Sequence, residues 1–205
     1  MKKGFTLAEV LVTMGIIGVV AAMTVPTLMQ NYQRDSFVTQ LHKVYSEVLQ
    51  AFARDMSDSH AVRIREAGIS RNGAAWFLRT YFKTVKTCDG SNLSDCFADS
   101  YQNLNGTNIR LRDSMSSGSV AVLASGAVIY LQSNGYVIFD VNGKQGPNIL
   151  GRDLFSFEIA NDGTLETSNL DYYVEHFATS CQSATVTYDG GCFAKILNDG
   201  WKMDY

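Results

Sequence analysis

From Phe5 to Val25 the chain is apolar at nearly every position, and Glu9 is the one ionisable residue in that stretch. A helix of this length and composition spans a hydrocarbon core of about 30 Å. Beyond Pro26 the pattern changes. Phe37, Leu41, Val44, Tyr45, Val48, Leu49, Phe52 and Met56 recur at helical period, which buries one face only. Together the two stretches predict a single helix from Phe5 to about residue 57. At 1.5 Å per residue it is about 78 Å long, a membrane half followed by a half docked on a domain. The segment SDSHAVRIREAGISRNG has no clear period and holds Gly68 and Asn72-Gly73, so it reads as a connecting loop with at most a short helical turn. A second helix is expected over Ala74 to Val85, where Trp76, Phe77, Tyr81 and Phe82 have helical spacing, ending before the Cys88 to Cys96 loop. Three short apolar runs follow, Val120 to Ala124, Val128 to Gln132 and Tyr136 to Val141. They are separated by Ser125-Gly126 and Asn134-Gly135, the residue types that two-residue hairpins need. A fourth strand is expected at Phe155 to Ala160, before the turn Asn161-Asp162-Gly163. The whole reads as an α+β chain, a long N-terminal helix followed by an antiparallel meander.

Charge narrows the choice of partners. The net charge is −3, and it falls to −5 without Lys2 and Lys3. That balance argues against a general nucleic-acid-binding surface. Lys2 and Lys3 flank the apolar stretch on its N-terminal side, so the positive-inside bias keeps that flank in the cytoplasm and places the rest of the chain outside. Glu9 needs a separate reason. A carboxylate at the centre of a membrane costs about 2.5 to 3.5 kcal/mol, somewhat less near an end, and simple anchoring does not require one. The stretch from Phe5 to Tyr32 contains no Lys, Arg or His to pair with it. Its partner must come from elsewhere or from a new N-terminus.

A basic leader, then Gly4, Phe5, Thr6, Leu7, Ala8 and Glu9 in register, resembles the prepilin peptidase site of the type IV pilin and type II secretion pseudopilin family. The resemblance implies cleavage after Gly4, N-methylation of the exposed Phe5, and a leader of residues 1–4. An N-terminal helix of residues 5–57 and a pilin-like globular head of residues 58–205 would follow. It also implies that Glu9 faces the Phe5 amine of an adjacent subunit and so sets axial register, since a buried charge pair is favourable only when both partners are present. A lone subunit is expected to keep Glu9 unpaired or protonated. Gly18 and Pro26 bracket a stretch weakly specified as helix. In filaments of related pilins that stretch loses helicity; the alternative is a kinked membrane helix. The implied partners are the prepilin peptidase and methylase, the inner-membrane assembly platform with its ATPase, and copies of itself or sibling pilins. The implied location is the inner membrane, single-pass, with the head outside the cytoplasm and extracted into a periplasmic or surface filament.

Three further features bear on chemistry. In DVNGKQGPNILGRDLF the residues Asp140, Asn142, Asn148 and Asp153 are oxygen donors of the type that calcium takes. The loop resembles one found after the third strand of pseudopilin-like proteins, where calcium is often bound. Its spacing departs from the EF-hand pattern, and Asp and Asn beside Gly also build turns without an ion, with Arg152 pairing to Asp153 or another acid. Both readings stand at this point. The four cysteines form two local pairs, Cys88 with Cys96 and Cys181 with Cys192, with no CxxC spacing. Structural zinc is therefore disfavoured, and an even count behind an export signal reads as two disulfides made outside the cytoplasm, although three pairings are open. His42, His60 and His176 are isolated, and HExxH, GxSxG and phosphate-binding glycine loops are missing. The function read from the sequence is thus a non-enzymatic subunit of a type II secretion pseudopilus or a type IV pilus-like filament. The competing reading is a membrane-tethered extracytoplasmic binding protein that never polymerises. The tail from Cys181 to Tyr205 reads as a disulfide-pinned segment whose aromatic residues pack on the sheet.

Overall fold

The computed structural model describes residues 4, 6–88, 93–109, 111, 115, 117–183 and 190–205. Helix α1 spans Leu7–Asp58, and the chain divides into two compact units, Met1–Ser36 and Phe37–Tyr205. From Leu7 onward the first unit is helix alone. Its apolar side chains have no core of their own to enter: Leu7 is 80% exposed, Ile16 60% and Met23 73%. This part is long and apolar enough to cross a membrane. Gly18 and Pro26 both lie within continuous helix. Proline has no N–H to give to the carbonyl of Ala22, so one rung of the ladder is missing there.

The second unit is the head. The stretch of α1 from Phe37 onward buries Val38, Leu41, Val44, Val48 and Phe52 in a stripe at helical spacing. The stripe packs against aromatic side chains from several elements, with Tyr45 5.8 Å from Phe157 and 5.6 Å from Phe193, and Phe52 4.7 Å from Phe77 between ring centroids. Aromatic pairs at such separations add to the area that they bury. After α1 come a short 3-10 turn at Ile64–Glu66, helix α2 at Gly68–Asn72 and helix α3 at Ala74–Tyr81.

The expected extension of the second helix to Val85 is not seen. Phe82 is already extended, with φ −119° and ψ 152°, and Thr84–Cys88 is strand β1. A small ribbon pairs β2, Tyr101–Gln102, with β3, Asn108–Ile109. The meander consists of β4 at Ser119–Leu123, β5 at Val128–Leu131, β6 at Tyr136–Asp140 and β7 at Leu154–Glu158. All are antiparallel, in the order β1-β4-β5-β6-β7, so the main sheet has five strands. Gly126 and Gly135 take φ +92° and +96° at the two hairpin turns. Strand β5 is buried at every residue, which explains its unbroken apolar run. Past β7 the chain forms three short helices, α4 at Leu170–Glu175, α5 at Phe177–Ser180 and α6 at Gly191–Asn198.

Candidate functional site

The N-terminal end of α1 carries a reciprocal cap. The first N–H groups of a helix have no partner within it. Here the Thr6 N–H and the Thr6 hydroxyl both donate to Glu9 Oε2 at 2.8 Å, while the Glu9 N–H donates to Thr6 Oγ1 at 3.3 Å. This is the Thr-x-x-Glu capping box. The carboxylate thus has hydrogen-bond donors three residues upstream in the same chain, while a cationic partner for it is not found among the described residues. Both Thr6 bonds fall on Oε2, and Oε1 accepts none among the described residues. Further along, the Thr13 hydroxyl donates to the Val10 carbonyl at 2.9 Å and that of Thr24 to the Val20 carbonyl at 3.0 Å. The polar side chains of the span are thus satisfied within the helix, and its outer surface is apolar around a single carboxylate. Gly4 is exposed. Phe5, the expected methylation site, lies outside the described residues, as do Met1 to Lys3.

In the head, the loop from Asp140 to Asp153 is closed by its own groups. Asp140, wholly buried, accepts the Tyr101 hydroxyl at 2.6 Å on one oxygen and the Asn142 N–H at 3.1 Å on the other. Asp153, also wholly buried, accepts the Asn148 N–H at 2.6 Å and the Ile149 N–H at 2.7 Å. Burial pushes the Asp140 carboxyl up to about 8 and that of Asp153 up to about 6, against the pull of these hydrogen bonds. Burial likewise raises the Tyr101 phenol, with the Asp140 charge as the next cause.

Calcium would need carboxylate oxygens open to it. Here both carboxylates are turned onto N–H and O–H donors, and among the described residues no group of three or more His, Cys, Asp or Glu converges on a point. Among the described residues, the buried oxygens Asn142 Oδ1 and Asn148 Oδ1 have no hydrogen-bond partner. Two neutral amide oxygens do not by themselves hold a hard cation, so the residues present fit a hydrogen-bonded turn and do not fit a calcium site. Arg152 lies with its guanidinium 5.3 Å from the centroid of the Tyr205 ring, a cation–π contact.

The tail clamps this loop. Cys181 and Cys192 are disulfide-bonded across 11 residues, joining the end of α5 to α6, and Cys88 and Cys96 are bonded across 8 residues at the end of β1. Gly151, at φ +86°, sits under the second bridge. A Cβ there would stand 2.9 Å from Cys192 Sγ and 3.2 Å from Cys181 Sγ, so only glycine lets the sulfurs approach. The Tyr205 hydroxyl donates to the Gly151 carbonyl at 2.9 Å.

The histidines stay apart. His42 meets Trp201 edge-on at 4.3 Å between centroids, and His176 stacks on Tyr172 at 4.3 Å. Two contributors escaped the sequence reading, the capping role of Thr6 and the Tyr101 hydroxyl. Thr6 was visible as the first residue of a Thr-x-x-Glu pattern, whereas Tyr101 lies 39 residues from Asp140 and has no local signal.

Residues 1–25 match the family model described as the prokaryotic N-terminal methylation motif. No curated protein and no solved structure matches the chain.

Proposed function

From the prepilin-type signal of type IV pilins and pseudopilins at residues 1–25, we propose that this chain is a structural subunit of a type II secretion pseudopilus or a type IV pilus-like filament. The signal fits a membrane-anchored, single-pass protein, and it suggests a structural subunit in place of an enzyme. On this reading a prepilin peptidase cuts after Gly4 and Phe5 becomes an N-methylated terminus. The head stands outside the cytoplasm, and an assembly platform with its ATPase extracts subunits into the filament. The apolar helices then bundle with copies of themselves or with sibling pilins. The observation that carries the reading is the coincidence of the motif with a helix whose apolar side chains lie exposed around one carboxylate.

Thr6 gives Glu9 a mechanical role. Two bonds to Oε2 hold the carboxylate at the helix end, and Oε1 is left to accept the Phe5 amine of a neighbouring subunit. Once that pair enters the filament core, removing either member leaves a buried charge alone, at a cost of about 3 to 5 kcal/mol. Misregistered subunits incur that cost, and matched ones avoid it.

Glu9→Gln tests the role directly. Glutamine serves the capping box as glutamate does but carries no charge. The expected result is a chain at normal level in the membrane that fails to enter filaments. Filaments of Glu9→Gln at the native yield would contradict the role given to Glu9, whereas a native chain that never enters filaments would favour the tethered binding protein. Imaging of surface fibres on cells with and without the gene separates a pilus from a periplasmic pseudopilus.

A further inference from the structure

Charge on the head is sorted by position. Between Arg152 and Lys195 the sequence has no Lys or Arg, and Glu158, Asp162, Glu166, Asp171 and Glu175 of that stretch are exposed or half-buried. From Arg63 to Lys86, by contrast, Arg63, Arg65, Arg71, Arg79, Lys83 and Lys86 accompany Glu66 as the only acid.

Sheet register places Lys83 and Glu158 apart, although Arg63 and Arg65 flank Ile64, whose N–H donates to the Asn161 carbonyl at 2.8 Å beside Asp162. Lys83 directly precedes β1, and its carbonyl accepts the Ala124 N–H at 2.8 Å just past the end of β4. Glu158 is the last residue of β7, at the other edge. Thr84 is aligned with Leu123, Val122 with Val128, Val128 with Asp140 and Asp140 with Leu154, so these residues form one end of the sheet. Glu158 pairs with Tyr136 at the opposite end. Lys83 and Glu158 therefore lie at diagonally opposite corners of one sheet and cannot meet within a chain.

Each corner is shaped as well as charged. At the basic one, Lys43, Arg54 and Lys83 line an open groove of about 460 Å³ beside Tyr81 and Phe82, with Glu47 its one carboxylate among the described lining residues. All three cations are exposed, and none forms an ion pair among the described residues. At the acidic corner a cavity of about 180 Å³ is lined by Phe157, Leu165, Leu170 and Phe193 and flanked by Glu158 and Glu166. The Glu166 N–H donates to the Glu158 carbonyl at 2.9 Å, which keeps the two acids adjacent, and α4 lines the same cavity through Leu170 and Tyr173. A cavity with apolar side chains in its wall and carboxylates beside them suits a long cation, whose methylenes bury while its charge stays at the mouth.

We propose that the acidic corner of one head docks on the basic groove of a second copy of this chain. Two different patches in contact make a heterologous interface, and such an interface at opposite corners continues into an open array. This contact rests on the filament reading and adds to it a head-to-head joint that is independent of Glu9.

The test uses the full-length chain in its own cells, with Glu158→Lys plus Glu166→Lys, with Arg54→Glu plus Lys83→Glu, and with all four changes together. Pelletable filament is compared with subunit in the membrane, and oxidised disulfides report a folded head. Each pair of reversals is expected to cut filament yield by about tenfold, and the fourfold variant to recover most of it, because coupled charges are non-additive. Reversals that leave the yield unchanged overturn the proposal, as does a fourfold variant no better than its parents. A native chain that forms no filament refutes the filament reading and this contact together, whereas native filaments indifferent to the reversals refute the contact alone.

Discussion

Asp55 is the residue whose loss the head should tolerate least. It lies on the buried stripe of α1 with no exposure, and its carboxylate accepts the Gly68 N–H at 3.0 Å and the Ile69 N–H at 2.9 Å, at the start of α2. A third donor, the Tyr81 hydroxyl, is longer at 3.3 Å and is shared with Asp58 at 3.0 Å, so it adds little. Asp55→Ala leaves two buried N–H groups with no acceptor. At about 1 to 3 kcal/mol for each, the loss is about 2 to 6 kcal/mol. A domain has only about 5 to 15 kcal/mol in total, so the variant head should be close to unfolding. Asp55→Asn keeps one acceptor oxygen but presents an amide donor to the other N–H, and about half the loss is expected. Denaturant titration of the full chain in detergent measures this. Tryptophan fluorescence suits it because Trp76 and Trp201, the only tryptophans, are both in the head. An Asp55→Ala variant within about 1 kcal/mol of the native chain would refute the reasoning, because it would mean that water or a shifted loop satisfies both donors.

Two further outcomes follow from the loop and its clamp. Because burial raises Asp140 to about 8 and Asp153 to about 6 from an ordinary 3.8, the folded head holds protons that the unfolded chain releases. Their contribution is full below about pH 4 and is lost as pH rises through 6 and 8, so denaturation midpoints should fall across that window. Asp140→Asn, which keeps an acceptor for Tyr101, should flatten the upper part of the profile; an unchanged slope would contradict the assignment. Replacing Cys181 and Cys192 together by serine releases an 11-residue closure worth about 3 kcal/mol of unfolded-chain entropy. A lower midpoint of that size is expected, and reductant added to the native chain, which also opens Cys88–Cys96, should lower it further.

The parts legible in the sequence are those whose pattern is local. The α1 stripe repeats at helical spacing through Phe52 and ends within a residue of the expected place because one face meets the sheet and the other meets water. Strands β4, β5 and β6 were found to within a residue because Gly126 and Gly135 mark their turns, whereas β7 ends two residues before the expected Ala160. Strand β1 was misread as the end of a helix. It is an edge strand with its three central residues exposed, Val85 at 74%, so no alternation of burial shows in Thr84 to Cys88. Helices α4, α5 and α6 are too short to display a period, and their place is set by the disulfide and the sheet. Asp55 could have been found, since it falls three residues after Phe52 on an otherwise apolar stripe, and a carboxylate there demands donors. Tyr101 could not, because its pairing with Asp140 depends on how the sheet closes.

The central claim is that this chain is a processed filament subunit, and the most direct test is the N-terminus of the protein taken from native membranes. Intact mass with terminal sequencing should give a chain that begins at N-methylated Phe5. A chain that retains Met1, or one cut within the apolar helix, would contradict the account and leave the Thr6–Glu9 cap as nothing more than a helix end.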